Sequence, residues 1–189
     1  MILPGVDTLV IEQPWGVGRH LFGSRYEVRV HAEGGEPLAT VTDRGPLGPL
    51  RGLLRLTGFS GRTGFALALA HRGQPLLLID KGRWRPPTRV AGPDGAPLGA
   101  VRLEGRGAYG LLDPAGQRVA LFHEVASFGA GAIAERDGKR VRRDVLRLRP
   151  GTPEPLRSLA IATAVAYDVV RGAGTNHTGS GGFDFPTPV

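Results

Sequence analysis

TPEPLRSLAIATAVAYDVVR, residues Thr152 to Arg171, is the only segment of the chain that reads as a long helix. Between Leu156 and Val170 its polar side chains are Arg157, Ser158, Thr163 and Asp168. At about 100° per residue these do not gather into one hydrophilic face. A helix apolar nearly all round needs an enclosure. The ends are marked too. Thr152 is placed to be the N-cap, Pro153 suits the first helical position, Glu154 and Arg171 complement the helix dipole, and Gly172 can close the last turn. The expected helix is 153–171. Its apolar run of ~15 residues is short of the ~20 that span a bilayer, so the enclosure should be protein.

The rest of the chain supplies that enclosure. From residue 8 to 149 the pattern is strand after strand. Tyr26, Val28 and Val30 alternate with Arg25, Glu27, Arg29 and His31, the period-two signature of a half-buried strand. TLVIE (8–12) precedes this run and Leu38 to Thr42 returns after it. LLRLTGF (53–59), GFALALA (64–70), PLLLID (75–80), RWRPPTRV (83–90), LGAVRL (98–103), AYGLLD (108–113), RVALFH (118–123), AIAER (132–136) and RVRRDVLRLR (140–149) follow, about twelve strands in all. Gly73, Gly95, Gly116 and Gly138 are spaced by 22, 21 and 22 residues in HRGQPL, PDGAPL, PAGQRV and RDGKRV. Asp-Gly in two of these predicts type I′ hairpins. EGGEPL at 33–38 belongs to the set, with RGPLGPLRG (44–52) inserted after it.

Antiparallel hairpins in that number would leave two open edges, so a closed barrel is expected. At ~4.8 Å between strands and ~40° of tilt, twelve strands close at a backbone radius of ~12 Å. A helix packs ~10 Å from a sheet. The fold class is therefore mainly β, a closed antiparallel barrel around one buried C-terminal helix. Residues 1–172 form that single domain and 173–189 a flexible Gly-rich tail carrying Phe183 and Phe185.

With no cysteine the chain has no disulfide framework and no thiolate chemistry. Met1 to Val10 is too short, and too interrupted by Pro4, Gly5 and Asp7, to read as a signal peptide. A cytoplasmic location is the default. The net charge of +7, from 24 basic against 17 acidic residues, invites an anionic partner. An Arg, Ala, Gly and Pro-rich composition of the kind a GC-rich genome produces accounts for the same surplus.

The ordered hairpins and terminal helix resemble the tubby-like superfamily: tubby C-terminal domains, phospholipid scramblases and plant LURP-one-related proteins. The matching residues are LVIEQ (9–13), YEVRVHAEGGEPLATVTD (26–43), LLLIDKGRW (77–84), VAGPDGAPLGAVRL (90–103), YGLLDPAGQRVALF (109–122) and LAIATAVAYDVV (159–170). They are most similar to the short bacterial scramblase-related proteins. The resemblance implies a twelve-stranded barrel around a central helix. It also implies a role at phospholipid, because tubby domains bind phosphoinositides through basic surface residues and scramblases are associated with calcium-dependent lipid movement. The chain departs from scramblases in having no proline-rich extension, no cysteine cluster and no acidic calcium loop beside its helix. Asp168 alone cannot coordinate calcium, which takes six or more oxygens.

The candidate ligand residues for an anionic head group fall in two clusters. Arg136, Lys139, Arg140, Arg142, Arg143, Arg147 and Arg149 are relieved only by Asp137 and Asp144. Alternation groups Arg143, Val145, Arg147 and Arg149 on one side of the strand and Asp144, Leu146 and Leu148 on the other. If the leucines face the helix, the arginines form an outward row able to hold phosphate oxygens. A solvated or aggregation-blocking strand face is the plainer reading. The second cluster is Lys81, Arg83, Arg85 and Arg89 around Trp84. Nucleic acid fits less well, since no helix is spare for groove recognition.

The five histidines, His20, His31, His71, His123 and His177, lack metal-site spacing, the glycines at 172–182 follow a helix instead of opening one, and no G-x-S-x-G occurs. The expectations are therefore no catalysis, no metal and no cofactor. The expected role is binding of anionic phospholipid at a membrane surface, peripheral at its inner face. Protein interaction through the 44–52 loop or the tail, and phospholipid scrambling, stand as alternatives.

Overall fold

A computed structural model describes residues 3, 5–14, 27–45, 64–82, 87–104, 108–129 and 133–170. The segment 53–59, most of the 44–52 insertion, Tyr26, Trp84, Arg171, Gly172 and the 173–189 tail lie outside those residues. The strands are β1 (Thr8–Pro14), β2 (Glu27–Ala32), β3 (Pro37–Asp43), β4 (Phe65–His71), β5 (Gln74–Lys81), β6 (Thr88–Ala91), β7 (Pro97–Glu104), β8 (Ala108–Leu112) and β9 (Arg118–Leu121). A helical turn, α1 (Phe122–Val125), then leads to β10 (Ala126–Gly129), β11 (Ile133–Arg136), β12 (Lys139–Leu148) and the helix α2 (Leu156–Val170).

All of the strands join one 12-stranded sheet in the order β10-β12-β1-β2-β3-β4-β5-β6-β7-β8-β9, with β11 paired to β12. Every pairing is antiparallel. Alternation decides which face is inside. Val41 pairs with Leu69, Leu69 with Leu77, and Leu67 with Ile79, and all five are buried. Their neighbours on the other face are partly or wholly exposed.

The apolar face curls round α2, whose residues from Arg157 to Tyr167 are all buried. The helix touches β5, β6, β7 and β8 as well as β12 and α1. Arg157, Ser158 and Thr163 each have a polar partner. Thr163 Oγ1 donates to the Leu159 carbonyl at 2.7 Å, Ser158 donates to Glu154, and Arg157 pairs with Asp7 at 2.9 Å. Gly99 on β7 permits the closest approach: a Cβ there would sit 2.1 Å from the Leu112 carbonyl oxygen and 3.3 Å from Leu159 Cδ1.

The helix starts later than its sequence signals indicate. Its first bonds run from the Arg157 amide to the Pro153 carbonyl and from the Leu159 amide to that of Pro155. Thr152 is not the N-cap, since its hydroxyl donates to the Arg149 carbonyl at 2.6 Å. Pro155 disfavours helical geometry at Glu154, and the Glu154 carboxylate instead accepts from the Ser158 amide at 3.3 Å.

The expectation of a closed barrel becomes an open, curled sheet. Among the described residues no ladder joins β9 to β10, the two ends of the strand order. The expected strand RVALFH stops at Leu121. Phe122–Val125 makes a helical turn with its first and last residues buried, and ASFG (126–129) forms a short strand that sequence patterning does not mark. A helical turn offers no strand edge to either neighbour, and α1 lies where the ends approach, touching β8, β9, β10 and α2.

The periodic glycines all have positive φ, between 71° and 84°. Of the two Asp-Gly turns, only Asp137-Gly138 has both residues in the left-handed region, as does Arg72-Gly73. At Asp94-Gly95 only the glycine does. Asp94 Oδ1 accepts from the Ala96 amide at 3.0 Å, and the ladder shifts register between Val90 and Ala91, a longer turn closed by a bulge.

Candidate functional site

The long strand β12 is the most basic element, and its two faces differ in chemistry. Asp144, Leu146 and Leu148 face inward and are buried. Arg142 shares that face by its two-residue spacing from Asp144. It is 8% exposed and ion-paired to Asp144, with Arg142 Nε 3.3 Å from Asp144 Oδ1. Arg142 is therefore not part of the outward row, because a guanidinium on the core face needs a counter-charge and has one beside it. Arg140 follows the same inward parity, yet it lies at the hairpin end and is exposed. On the outer face Arg147 is exposed, as is Arg149 just past the strand, and Arg143 is half-buried.

Arg143 is half-buried because it lies beside a glutamate. Its Cα partner across the ladder is Glu12 of β1, only 3% exposed although on the outer face. Arg143 Nε lies 3.1 Å from Glu12 Oε1, Arg136 Nε 2.7 Å from Oε2, and His31 Nε2 3.3 Å from Oε2. Arg136 Nη2 donates to Oε1 at 3.0 Å. Only this last contact is aligned as a hydrogen bond; Glu12 Oε2, Arg143 Nε and His31 Nε2 lie close without that alignment. His31 Nδ1 lies 3.2 Å from the Gly35 carbonyl, an acceptor, so that nitrogen carries a proton. One buried carboxylate thus gathers groups from β2, β11 and β12, and two guanidiniums share its single charge.

The second cluster is dispersed. Lys81 has the inward parity of Leu77 and Ile79, is half-buried, and has its pKa lowered by desolvation. Arg89 on β6 is exposed on the outer face, opposite Asp80, which binds Arg44 at 2.6 and 2.7 Å. Arg83 and Arg85 lie outside the described residues. β1 to β5 separate β12 from β6 in the strand order, so Arg89 does not join the β12 row.

Sequence reasoning missed two features. The first is Glu12, 124 residues from Arg136, which no local spacing signals. The second is a polar girdle inside one end of the curled sheet: Gln13, Asp43, Thr88, Arg142 and Asp144 are buried there on inward positions, with Lys81 half-buried beside them in parity. Alternation from Ile11, Val41, Ile79, Val90 and Leu146 marks each as inward-facing. Among the described residues no three of His, Asp and Glu lie close enough to hold a metal ion, and no helix is long and apolar enough to cross a membrane. Comparison of the chain with protein-family models, with curated proteins and with solved structures finds no match in any of the three.

Proposed function

We propose that the chain is a non-catalytic tubby-like, scramblase-related module that binds anionic phospholipid head groups through the outer face of β12 and its neighbours. On this reading the curled sheet is a barrel with α1 as its seam, and the interior is given over to α2. Chemistry is then left to the outer wall. The supporting observation is charge placement: Arg136, Arg143, Arg147 and Arg149 accompany one buried carboxylate, leaving three net positive charges. At ~1 kcal/mol per basic residue near an anionic membrane, this predicts a preference on the order of a hundredfold for anionic over neutral vesicles at low salt. Co-sedimentation with phosphatidylcholine vesicles, with and without phosphatidylglycerol, tests it. Equal binding to both, or to neither, rejects it.

Val119 on β9 and Ile133 on β11, both exposed, favour a second reading as a protein-interaction module. That reading predicts self-association or partner capture indifferent to anionic lipid, measured by light scattering.

A further inference from the structure

Four observations converge on Glu12. It is almost wholly buried, yet on the outer face. Arg136 turns its Nε and Nη2 edge toward it, and Arg143 its Nε. The terminal nitrogens of Arg143 make no hydrogen bond among the described residues. Both arginines remain partly open to solvent, 32% for Arg136 and 37% for Arg143. A free arginine side chain samples many rotamers, and ordering it on binding weakens affinity. These two are ordered beforehand, held through their inner edges with donors left over. A guanidinium fork of this kind matches the oxygens of a phosphate group.

We propose that Glu12 is a positioning residue for oxyanion recognition: it fixes Arg136 and Arg143 so that their outward N–H groups clasp one phosphate. This rests on the anionic-surface reading above and supplies it with a specific site on β1, β11 and β12. The phosphate can belong to a lipid head group or be free in solution, and the bound chemistry is the same. Arg147 and Arg149 then act as a diffuse field next to a defined clasp.

The test is a sign. Removing the Glu12 charge makes the protein more positive, so bulk electrostatics predicts tighter anion binding for Glu12→Gln. The positioning role predicts weaker binding, by about fivefold or more, because two long side chains are released. Phosphatidylglycerol vesicles and inorganic phosphate are the two probes, and loss with one or both assigns the source. Arginine Nε–H NMR signals give a readout independent of binding: those of Arg136 and Arg143 should be protected in the wild type and lost in the variant. Arg136→Lys, which keeps the charge without the fork, should lose binding while remaining folded, and it decides the matter if Glu12→Gln does not fold. Equal or tighter binding by folded Glu12→Gln, or wild-type binding by Arg136→Lys, overturns the positioning role alone. Wild-type protein that binds neither probe overturns the parent reading as well.

Discussion

Arg157 and Asp7, 150 residues apart in the chain, form an ion pair of 2.9 Å that ties the first turn of α2 to the entry of β1. The guanidinium also donates to the carbonyls of Leu3, at 3.2 Å, and Val6. Arg157 is 4% exposed, so its charge is desolvated, while the Asp7 side chain stays 44% open to solvent. Truncating Arg157 leaves the Leu3 and Val6 carbonyls at the helix base without their donor. We expect Arg157→Ala to lower stability by ~2 kcal/mol, read as a reduced urea midpoint with an unchanged slope. A midpoint equal to that of the wild type would remove this tie from the fold's energetics.

The enclosure of α2 predicts intolerance of charge at its smallest side chains. Ala162 is fully buried. A glutamate there would need both volume and a counter-ion that the aliphatic wall does not offer. Ala162→Glu should lose its cooperative thermal transition, since a penalty of several kcal/mol takes most of a typical margin of ~5–15 kcal/mol. A folded variant of native stability would show that the helix is not enclosed.

Gly99 makes an independent prediction about the sheet. Its φ is +146°, and the position a Cβ would take is occupied by backbone of β8, not by a movable side chain. Gly99→Ala should therefore separate β7 from β8 locally, at ~2–4 kcal/mol. Hydrogen exchange should quicken at Ala100 and Leu112, which are paired across that ladder.

Tyr109 gives a pH dependence. Burial and, secondarily, the nearby Tyr167 raise its pKa far above the ordinary tyrosine range. The unfolded phenol ionises near pH ~10 while the folded one remains protonated. The associated stability is thus complete below pH ~10 and falls as pH rises beyond it. Tyr109→Phe should resist alkaline unfolding better than the wild type does, measured by urea melts at about pH 9 and about pH 11. Identical alkaline loss in both proteins would contradict the assignment.

On the outer wall, Arg147→Glu with Arg149→Glu should sharply reduce binding to phosphatidylglycerol vesicles and flatten its salt dependence. Both side chains are exposed, so stability should stay within ~0.5 kcal/mol of the wild type. Undiminished vesicle binding would move the lipid-facing surface elsewhere.

How much of this was legible in the sequence depends on how local each signal is. The hairpins at Gly73, Gly95, Gly116 and Gly138 were readable because a positive φ is a requirement of single residues, and each glycine has one. The helix was readable from its composition, but its start was not, because Thr152 and Pro153 imitate a cap that the second proline displaces. ASFG lacks the length and β-branched residues of a strand, and it pairs only because β12 presents an edge at Val145 to Leu148. Arg142 was legible in principle, since it keeps parity with Leu146, whereas simple counting of charge grouped it with its exposed neighbours. The gathering of Arg136, Arg143 and His31 on Glu12 had no local signal, because it depends on sheet order.

Every described strand precedes α2 in the chain. During synthesis the wall is therefore made before its filling, and a ribosome-bound nascent chain that has emerged only as far as β12 displays Leu67, Leu69, Leu77, Ile79 and Leu146 with nothing to pack against. Completion waits for the last apolar turn to clear the exit tunnel. Products cut short upstream of Leu156 would retain the whole sheet yet be natural clients for chaperones and proteases.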